Sequence, residues 1–220
     1  MFVTEIRRKL QTQLDINKLV EKVDSPEISI LETGKNAKLK KLTITHLPYE
    51  GNEKNKIWRI NLEQEVKGLS TANKTGELAL AVLKNNYLNV YIIELKSAIK
   101  DPTLKAIQGK VEHSISRFYF LLSLNSDKDH EIVKNLKIRF IALVFFDGHD
   151  KTTNTTDPDF ENIYRIFRKR GGQLECQTIL DNNLRIPVKF FSEGFDKVAC
   201  SMKMNFSDIE NEIKKIRGRI

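Results

Sequence analysis

Residues 76–96 read GELALAVLKNNYLNVYIIELK, with two apolar runs on either side of Asn85 and Asn86. Asparagine tolerates the left-handed backbone conformation that tight turns require. The runs are rich in the branched and aromatic residues that favour strands. This stretch therefore predicts an antiparallel β-hairpin with strands Glu77–Leu83 and Leu88–Lys96.

The turn also predicts which residues of the hairpin face each other. If the two asparagines form the turn, Lys84 faces Tyr87, and stepping back along both strands places Glu77 opposite Glu94. Side chains alternate along a strand, so Lys96 shares a face with Glu94. Two acids and one lysine are thus expected together at the end of an apolar hairpin.

Such a cluster predicts a cation-binding site, because two carboxylates directly opposite each other repel. A hard divalent cation such as Mg²⁺ removes this repulsion, and it commonly takes one or two carboxylates while keeping several waters. Lys96 could then hold or deprotonate a water molecule, or stabilise developing negative charge. This combination is typical of phosphodiester hydrolysis.

At these residues the chain resembles the PD-(D/E)XK nuclease superfamily. Glu94-Leu95-Lys96 matches its Glu-x-Lys motif, and Glu77 stands where the family usually has Asp, often after Pro, whereas this chain has Gly76. The resemblance covers roughly Gly76 to Leu124. It implies a restriction-endonuclease-like α/β fold, with a mixed, mainly antiparallel sheet flanked by helices. It also implies Mg²⁺, with Mn²⁺ as a substitute, held by Glu77, Glu94 and the backbone carbonyl of Leu95.

A structural interpretation competes with the metal site. Glu-x-Lys also occurs at Glu65–Lys67 and Glu212–Lys214, and such triplets usually lie on solvated surfaces. The charges of the hairpin could face water at a sheet edge, which natural sheets use to avoid aggregation. Position distinguishes Glu94–Lys96, because it ends a long apolar strand with an acid expected opposite.

A helix is predicted directly after the hairpin. Asp101 is a good cap with Pro102 at the first helical position. An apolar stripe follows at spacings of three and four residues: Leu104, Ile107, Val111, Ile115, Phe118 and Leu122. In the resembling family this helix often supplies a Gln or Lys to the site. Gln108 is the expected catalytic contributor and Lys110 the weaker candidate, with a surface amide as the structural alternative.

Residues 136–146 are the most apolar run and predict a buried central strand, which makes the hairpin, helix and strand a parallel β-α-β crossover. The chain is expected to be one nuclease-like domain, 1–220, with its core near 76–146. Other predicted elements are a helix at 4–23, strands at 28–33, 39–46 and 57–62, a hairpin of 173–180 and 184–191, and a helix from Asp208 to Arg217 capped by Ser207 and Glu210. Members of the resembling family often carry a site acid on their first helix, which makes Glu5, Asp15 and Glu21 candidates here.

The net charge of +8 and the pI of about 9.3 favour a polyanionic partner. DNA is the expected substrate and RNA the alternative. The residues expected to contact nucleic acid are Lys100, Lys105, Lys110, Arg165, Arg168, Lys169 and Arg170. A second basic group, Lys35, Lys38, Lys40 and Lys41, is equally well explained by phosphate contacts or by a Lys-rich edge strand.

The sequence contains two cysteines and no apolar run of membrane-spanning length, which predicts a cytoplasmic protein without a disulfide framework or membrane anchor. The function expected is a Mg²⁺-dependent endonuclease of restriction or repair type, with a homodimer if both strands of a duplex are cut. Two alternatives remain: a catalytically inactive nucleic-acid-binding module of the same fold, and an interaction protein.

Overall fold

The computed structural model describes residues 19–32, 34–48, 55–62, 75–84, 87–97, 99, 101–123, 137–147, 172–178, 183–192 and 194–217. These residues form a mixed α/β structure. Its strands are β1 Val20–Lys22, β2 Ile28–Leu31, β3 Lys41–Thr45, β4 Asn55–Asn61, β5 Leu78–Lys84, β6 Tyr87–Lys96, β7 Lys137–Phe146, β8 Gln173–Cys176, β9 Leu184–Phe191, β10 Phe195–Asp196 and β11 Ser201–Asn205. Its described helices are α1 Asp101–Ser123 and α2 Phe206–Arg217.

The predicted hairpin is formed by β5 and β6, in the predicted register. Lys84 pairs with Tyr87, and the ladder continues to the pair of Leu78 with Ile93. Glu77 lies one step beyond this last pair, and its amide donates a 3.0 Å hydrogen bond to the Ile93 carbonyl. The expected direct opposition of Glu77 and Glu94 thus falls just outside the paired ladder, at the end where the strands meet α1.

The hairpin lies inside a seven-stranded mixed sheet with the order β1-β4-β5-β6-β7-β9-β8. The β6–β7 and β7–β9 pairs are parallel and the other four are antiparallel. The predicted β6-α1-β7 crossover is confirmed. The expected stripe on α1 is also confirmed, since Ile107, Val111, Ile115 and Phe118 are buried.

A second sheet of four strands has the order β10-β11-β3-β2. The β2–β3 hairpin agrees with the prediction, but β11 pairs with β3 in parallel although the two strands lie far apart in the chain. The apolar side chains of this sheet and of α2 pack against one face of the seven-stranded sheet. α1 packs against the opposite face.

These two cores assign a face to every residue at the end of β6. Leu95 belongs to the core shared with the four-stranded sheet, while Ile92 belongs to the core under α1. Because side chains alternate, Glu94 and Lys96 lie on the α1 face. The prediction that Lys96 shares the face of Glu94 and that Leu95 points away is confirmed.

Two predictions for the chain ends need correction. The helix expected over 4–23 does not reach its predicted end, because Leu19 is helical but Val20–Lys22 pair with β4, while residues 4–18 lie outside the described residues. Glu21 is exposed on that strand. The last helix begins at Phe206, and its cap is Asn205 instead of Ser207, since Asn205 Oδ1 accepts a 3.0 Å hydrogen bond from the Ser207 amide.

Within the described part of the chain, neither helix has the length and apolar character that crossing a membrane requires.

Candidate active site

The two acids predicted for the site are buried at the junction of the hairpin with α1. Glu94 is 2% exposed and Glu77 is 7% exposed. Carboxylates are rarely buried to this extent without partners, because removing a charge from water is costly. Their burial excludes the alternative in which these charges simply face water at a sheet edge.

Lys110 on α1 brings the two acids together. Its Nζ donates to Glu94 Oε1 at 2.7 Å and lies 3.4 Å from Glu77 Oε1. The ammonium is thus shared by one oxygen of each carboxylate, and its side chain is only 14% exposed. Lys110 therefore supplies part of the positive charge that the predicted cation was expected to supply.

Lys96 completes a group of four charges. Its Nζ also contacts Glu94 Oε1, and its side chain is 22% exposed. We call Glu77, Glu94, Lys96 and Lys110 the hairpin cluster. Its formal charges cancel, so the structure resolves the repulsion between the acids with two lysines.

One carboxylate oxygen of the hairpin cluster has no hydrogen-bond partner among the described residues. Both lysines contact Oε1 of Glu94, whereas Oε2 is buried and has no hydrogen-bond partner among the residues that the structure describes. A buried carboxylate oxygen normally accepts at least one hydrogen bond. Oxygen donors of this kind are the ligands that hard divalent cations prefer, so the residues present fit Mg²⁺ or Mn²⁺.

The donor set offered by side chains is small. Among the described residues, no three His, Cys, Asp or Glu side chains gather at one point. A cation at Glu77 and Glu94 would therefore depend on the two carboxylates, on waters and on backbone oxygen. The Leu95 carbonyl stays the predicted backbone ligand.

The charges around Lys110 keep it protonated. Burial alone lowers the pKa of its ammonium, but the Glu94 and Glu77 carboxylates together outweigh this effect and raise the pKa above its ordinary value. Lys110 is thus a cation at neutral pH.

Gly76 and Ser114 position the cluster, and sequence reasoning assigned neither of them a role. The Gly76 amide donates a 2.9 Å hydrogen bond to Ser114 Oγ, and Ser114 donates a 2.7 Å bond to the Lys110 carbonyl. A Cβ on Gly76 would lie only 3.0 Å from Ile92 Cγ2 and 3.1 Å from the Ile93 carbonyl. Glycine therefore allows the chain before Glu77 to approach β6 closely, while Ser114 fixes α1 against it.

The expectation that Gln108 reaches the site is not supported by its contacts. Its Nε2 donates to the Glu175 carbonyl at 2.8 Å and to Glu112 Oε1 at 3.3 Å. The bond to Glu175 ties α1 to β8, on the other side of the helix stripe, and the bond to Glu112 stays within α1. Lys110, the weaker candidate of the sequence, is the helix residue that contacts both acids.

An open hollow of about 370 Å³ adjoins the cluster at Lys96. Its walls come from the β2–β3 turn and from the end of β6: Glu32, Gly34, Lys35, Asn36, Ala37, Leu39, Leu95, Lys96 and Ser97. The turn is held in place by a 3.0 Å hydrogen bond from the Lys38 amide to Ser97 Oγ. Lys35, from the second basic group of the sequence, thus lies beside the same hollow as Lys96.

The other residues expected to contact nucleic acid are placed less completely. Lys105 is exposed on α1. Lys100 and the basic group Arg165, Arg168, Lys169 and Arg170 lie outside the described residues, as do the candidate acids Glu5 and Asp15.

The cysteines offer no second reactive centre. Both are free thiols, and burial, with a smaller contribution from Glu112, raises the pKa of Cys176 to about 12. Cys176 therefore stays protonated at neutral pH.

Comparisons of the chain with protein-family models, with curated proteins and with solved structures give no match. The resemblance to the PD-(D/E)XK nucleases therefore stays a prediction from the sequence, and any function proposed for the chain depends on the hairpin cluster itself.

Proposed function

We propose that this protein is a metal-dependent nuclease that hydrolyses DNA phosphodiester bonds, with a restriction-endonuclease-like core. The observation that carries the proposal is the buried Oε2 of Glu94, which has no partner among the described residues although two lysines contact the other oxygen of the same carboxylate. An acid recruited only for ion pairing would be expected to use both oxygens.

The proposed metal ligands are Glu77 and Glu94, assisted by the Leu95 carbonyl. A bound Mg²⁺, or Mn²⁺ in its place, would supply Lewis-acid activation of the phosphodiester. The backbone next to Glu94 and around Glu77 is fixed by hydrogen bonds, because the Glu77 amide donates to the Ile93 carbonyl and the Gly76 amide donates to Ser114 on α1. Preorganised ligands lose little freedom on binding.

Lys96 is proposed to orient the attacking water. It is the more exposed of the two lysines, and it is also one of the residues that line the open hollow. An ammonium at this position can hold a water by hydrogen bonding and stabilise the negative charge that develops on a phosphoryl oxygen. The proton lost by the water would pass to solvent.

The hollow between the β2–β3 turn and β6 is the proposed approach for the substrate strand. Lys35 and Lys96 place two cations along it, which suits the phosphates on either side of a scissile bond. The overall charge of +8 adds a long-range attraction for polyanions. A homodimer would allow both strands of a duplex to be cut.

The test is Mg²⁺-dependent cleavage of a panel of plasmid and single-stranded DNA, with EDTA as the metal-free reference. Glu94→Gln keeps the volume of the side chain and removes its charge, so we expect cleavage to fall by at least about a hundredfold. Binding of DNA should persist or strengthen, because the variant repels phosphate less. Lys96→Ala should also lose cleavage.

Glu175→Gln is the matched control, since Glu175 is an exposed acid whose side chain pairs only loosely with Arg185, at 3.8 Å. It should cleave like the wild type. Circular dichroism would confirm that Glu94→Gln stays folded. Absence of cleavage by the wild type on every substrate, or cleavage retained by Glu94→Gln, would overturn the proposal.

One observation favours the inactive nucleic-acid-binding module as the second candidate. The hairpin cluster is already neutral, because Lys96 and Lys110 balance Glu77 and Glu94 without any metal. In that case the protein should bind DNA in a strongly salt-dependent manner, since released counterions dominate phosphate contacts, but Mg²⁺ should change neither binding nor the DNA.

A further inference from the structure

We propose that Lys110 acts as an internal counter-cation, which neutralises the two acids in place of a metal ion, so that the metal ion and the phosphodiester bind cooperatively. This inference rests on the proposed function and concerns the regulation of the same site. It follows from where Lys110 lies, from how deeply it is buried and from the charges around it.

Lys110 contacts both of the proposed metal ligands. Its Nζ lies 2.7 Å from Glu94 Oε1 and 3.4 Å from Glu77 Oε1, so it shares the oxygens of both proposed ligands. It reaches them from α1, below the hairpin, whereas Lys96 contacts Glu94 alone and borders the open hollow. The two lysines therefore come from different elements, and of the two only Lys110 contacts both acids.

The positive and negative charges of the hairpin cluster balance. With two carboxylates and two ammoniums, the hairpin cluster is neutral. A divalent cation that entered alone would leave a double positive charge among groups that are nearly excluded from water, where Coulomb repulsion is strong. A phosphodiester that entered with the cation would cancel half of that excess. Metal binding should therefore be weak alone and stronger when a nucleic-acid backbone is present.

Glu94 Oε2 is the oxygen at which we expect the cation to bind. Glu94 Oε2 can accept a cation without breaking the bond between Oε1 and Lys110. Lys110 would thus weaken the metal site through its charge while leaving Oε2 of Glu94 without a bond to either lysine. The consequence is a site that stays unloaded until its substrate arrives, which limits unspecific cleavage.

The experiment measures Mn²⁺ binding by electron paramagnetic resonance on the full chain, with and without a short phosphorothioate DNA duplex that keeps the backbone charge. In the wild type, the duplex should tighten Mn²⁺ binding at least about tenfold, and by linkage Mn²⁺ should tighten duplex binding equally. In Lys110→Met, Mn²⁺ should bind at least about tenfold more tightly without DNA, and the duplex should add little.

Lys203→Met is the control, because Lys203 is an exposed lysine on β11, away from the hairpin cluster. It should behave like the wild type. Thermal unfolding provides a second readout if Lys110→Met is poorly folded: Mn²⁺ alone should raise the melting temperature of this variant, whereas the wild type should need Mn²⁺ and duplex together.

Two results would overturn the inference, and they differ in what else they remove. Mn²⁺ binding that is tight without DNA in the wild type and unchanged in Lys110→Met would refute the role of Lys110 while leaving the nuclease proposal intact. Absence of Mn²⁺ binding in both proteins, with and without the duplex, would refute the metal site and the proposed function with it.

Discussion

The described residues contain two clusters in which two lysines surround a glutamate, and these clusters use the carboxylate differently. In the α2 cluster, formed by Lys189, Glu212 and Lys215, each oxygen of Glu212 accepts one lysine at 2.5 Å. In the hairpin cluster both lysines contact one oxygen of Glu94, and the other oxygen is buried without a partner among the described residues. Of these two clusters, only the hairpin cluster has a carboxylate oxygen, Glu94 Oε2, that neither lysine contacts.

The surroundings of the two clusters differ as well. Glu212 has 31% of its side chain exposed, and Lys215 is largely in solvent. The hairpin cluster is buried under α1 and includes a second acid. A surface ion pair is screened and contributes little, whereas a buried one becomes costly once a partner is missing. The α2 cluster is therefore a surface ion pair, whereas the local structure depends on the hairpin cluster.

The largest expected effect comes from removing one lysine of each cluster. Lys110→Met leaves two buried acids with a single cation, and we expect it to lower the free energy of unfolding by about 3–5 kcal/mol in EDTA. Lys215→Met should cost less than about 1 kcal/mol, because water replaces its contact with Glu212. Urea unfolding of both variants measures the difference, and equal losses would show that the clusters are equivalent.

An intermediate effect is expected at Gly76, which sharpens the comparison by testing how the backbone holds the hairpin cluster. Gly76→Ala would place a Cβ 3.0 Å from Ile92 Cγ2 and 3.1 Å from a carbonyl oxygen, so we expect a loss of about 1–3 kcal/mol in stability.

Gly109→Ala is the matched control on α1, beside Lys110, where an added Cβ meets nothing within 4 Å. This change should raise the stability by up to about 1 kcal/mol, because alanine favours helix. Thermal and urea unfolding compare the two variants. Similar stability changes in both would argue against the close approach of Gly76 to β6.

The smallest effect concerns pH and the α2 cluster. The hydrogen bonds from Lys189 and then from Lys215 lower the pKa of Glu212 from 4.5 to about 2. A carboxyl whose folded-state pKa is lowered stabilises the fold above its unfolded pKa, and this contribution disappears as the pH falls from about 4.5 to about 2.

Glu212→Gln should therefore be less stable than the wild type at pH 6, by less than about 1 kcal/mol since the pair is partly exposed. The difference should vanish near pH 2 and shrink in high salt. Unfolding curves at several pH values measure it. A difference that is independent of pH would mean that Glu212 contributes through packing instead of charge.

Sequence reasoning predicted the parts of the fold that local patterns specify. The two asparagines between the apolar runs predicted the register of β5 with β6, because a connection of given length leaves one pairing for its neighbours, and the observed pair of Lys84 with Tyr87 agrees. The apolar stripe from Ile107 to Phe118 specifies the buried face of α1. The failures lie where local patterns compete, as at Val20–Lys22, where pairing with β4 overrides a helical spacing.

The candidate site divides in the same way. That Glu77 and Glu94 approach each other follows from the hairpin alone. That Lys110 rather than Gln108 meets them could not be read from the sequence, because the two residues flank the same stripe and the rotation of α1 on the sheet decides which one faces the strand ends. The bond of Gln108 to β8 depends on a strand that follows much later in the chain.

The sequence by itself determined the hairpin, its register, the crossover and the pair of acids, because each depends on residues close together along the chain. Only the tertiary structure decided that the acids are buried, that Lys110 bridges them, and that one Glu94 oxygen has no hydrogen-bond partner among the described residues. It also decided that β3 and β11 pair in parallel and bring the β2–β3 turn beside Lys96. The reason is physical: burial and the balance of charges are properties of packed surfaces, which no local pattern specifies.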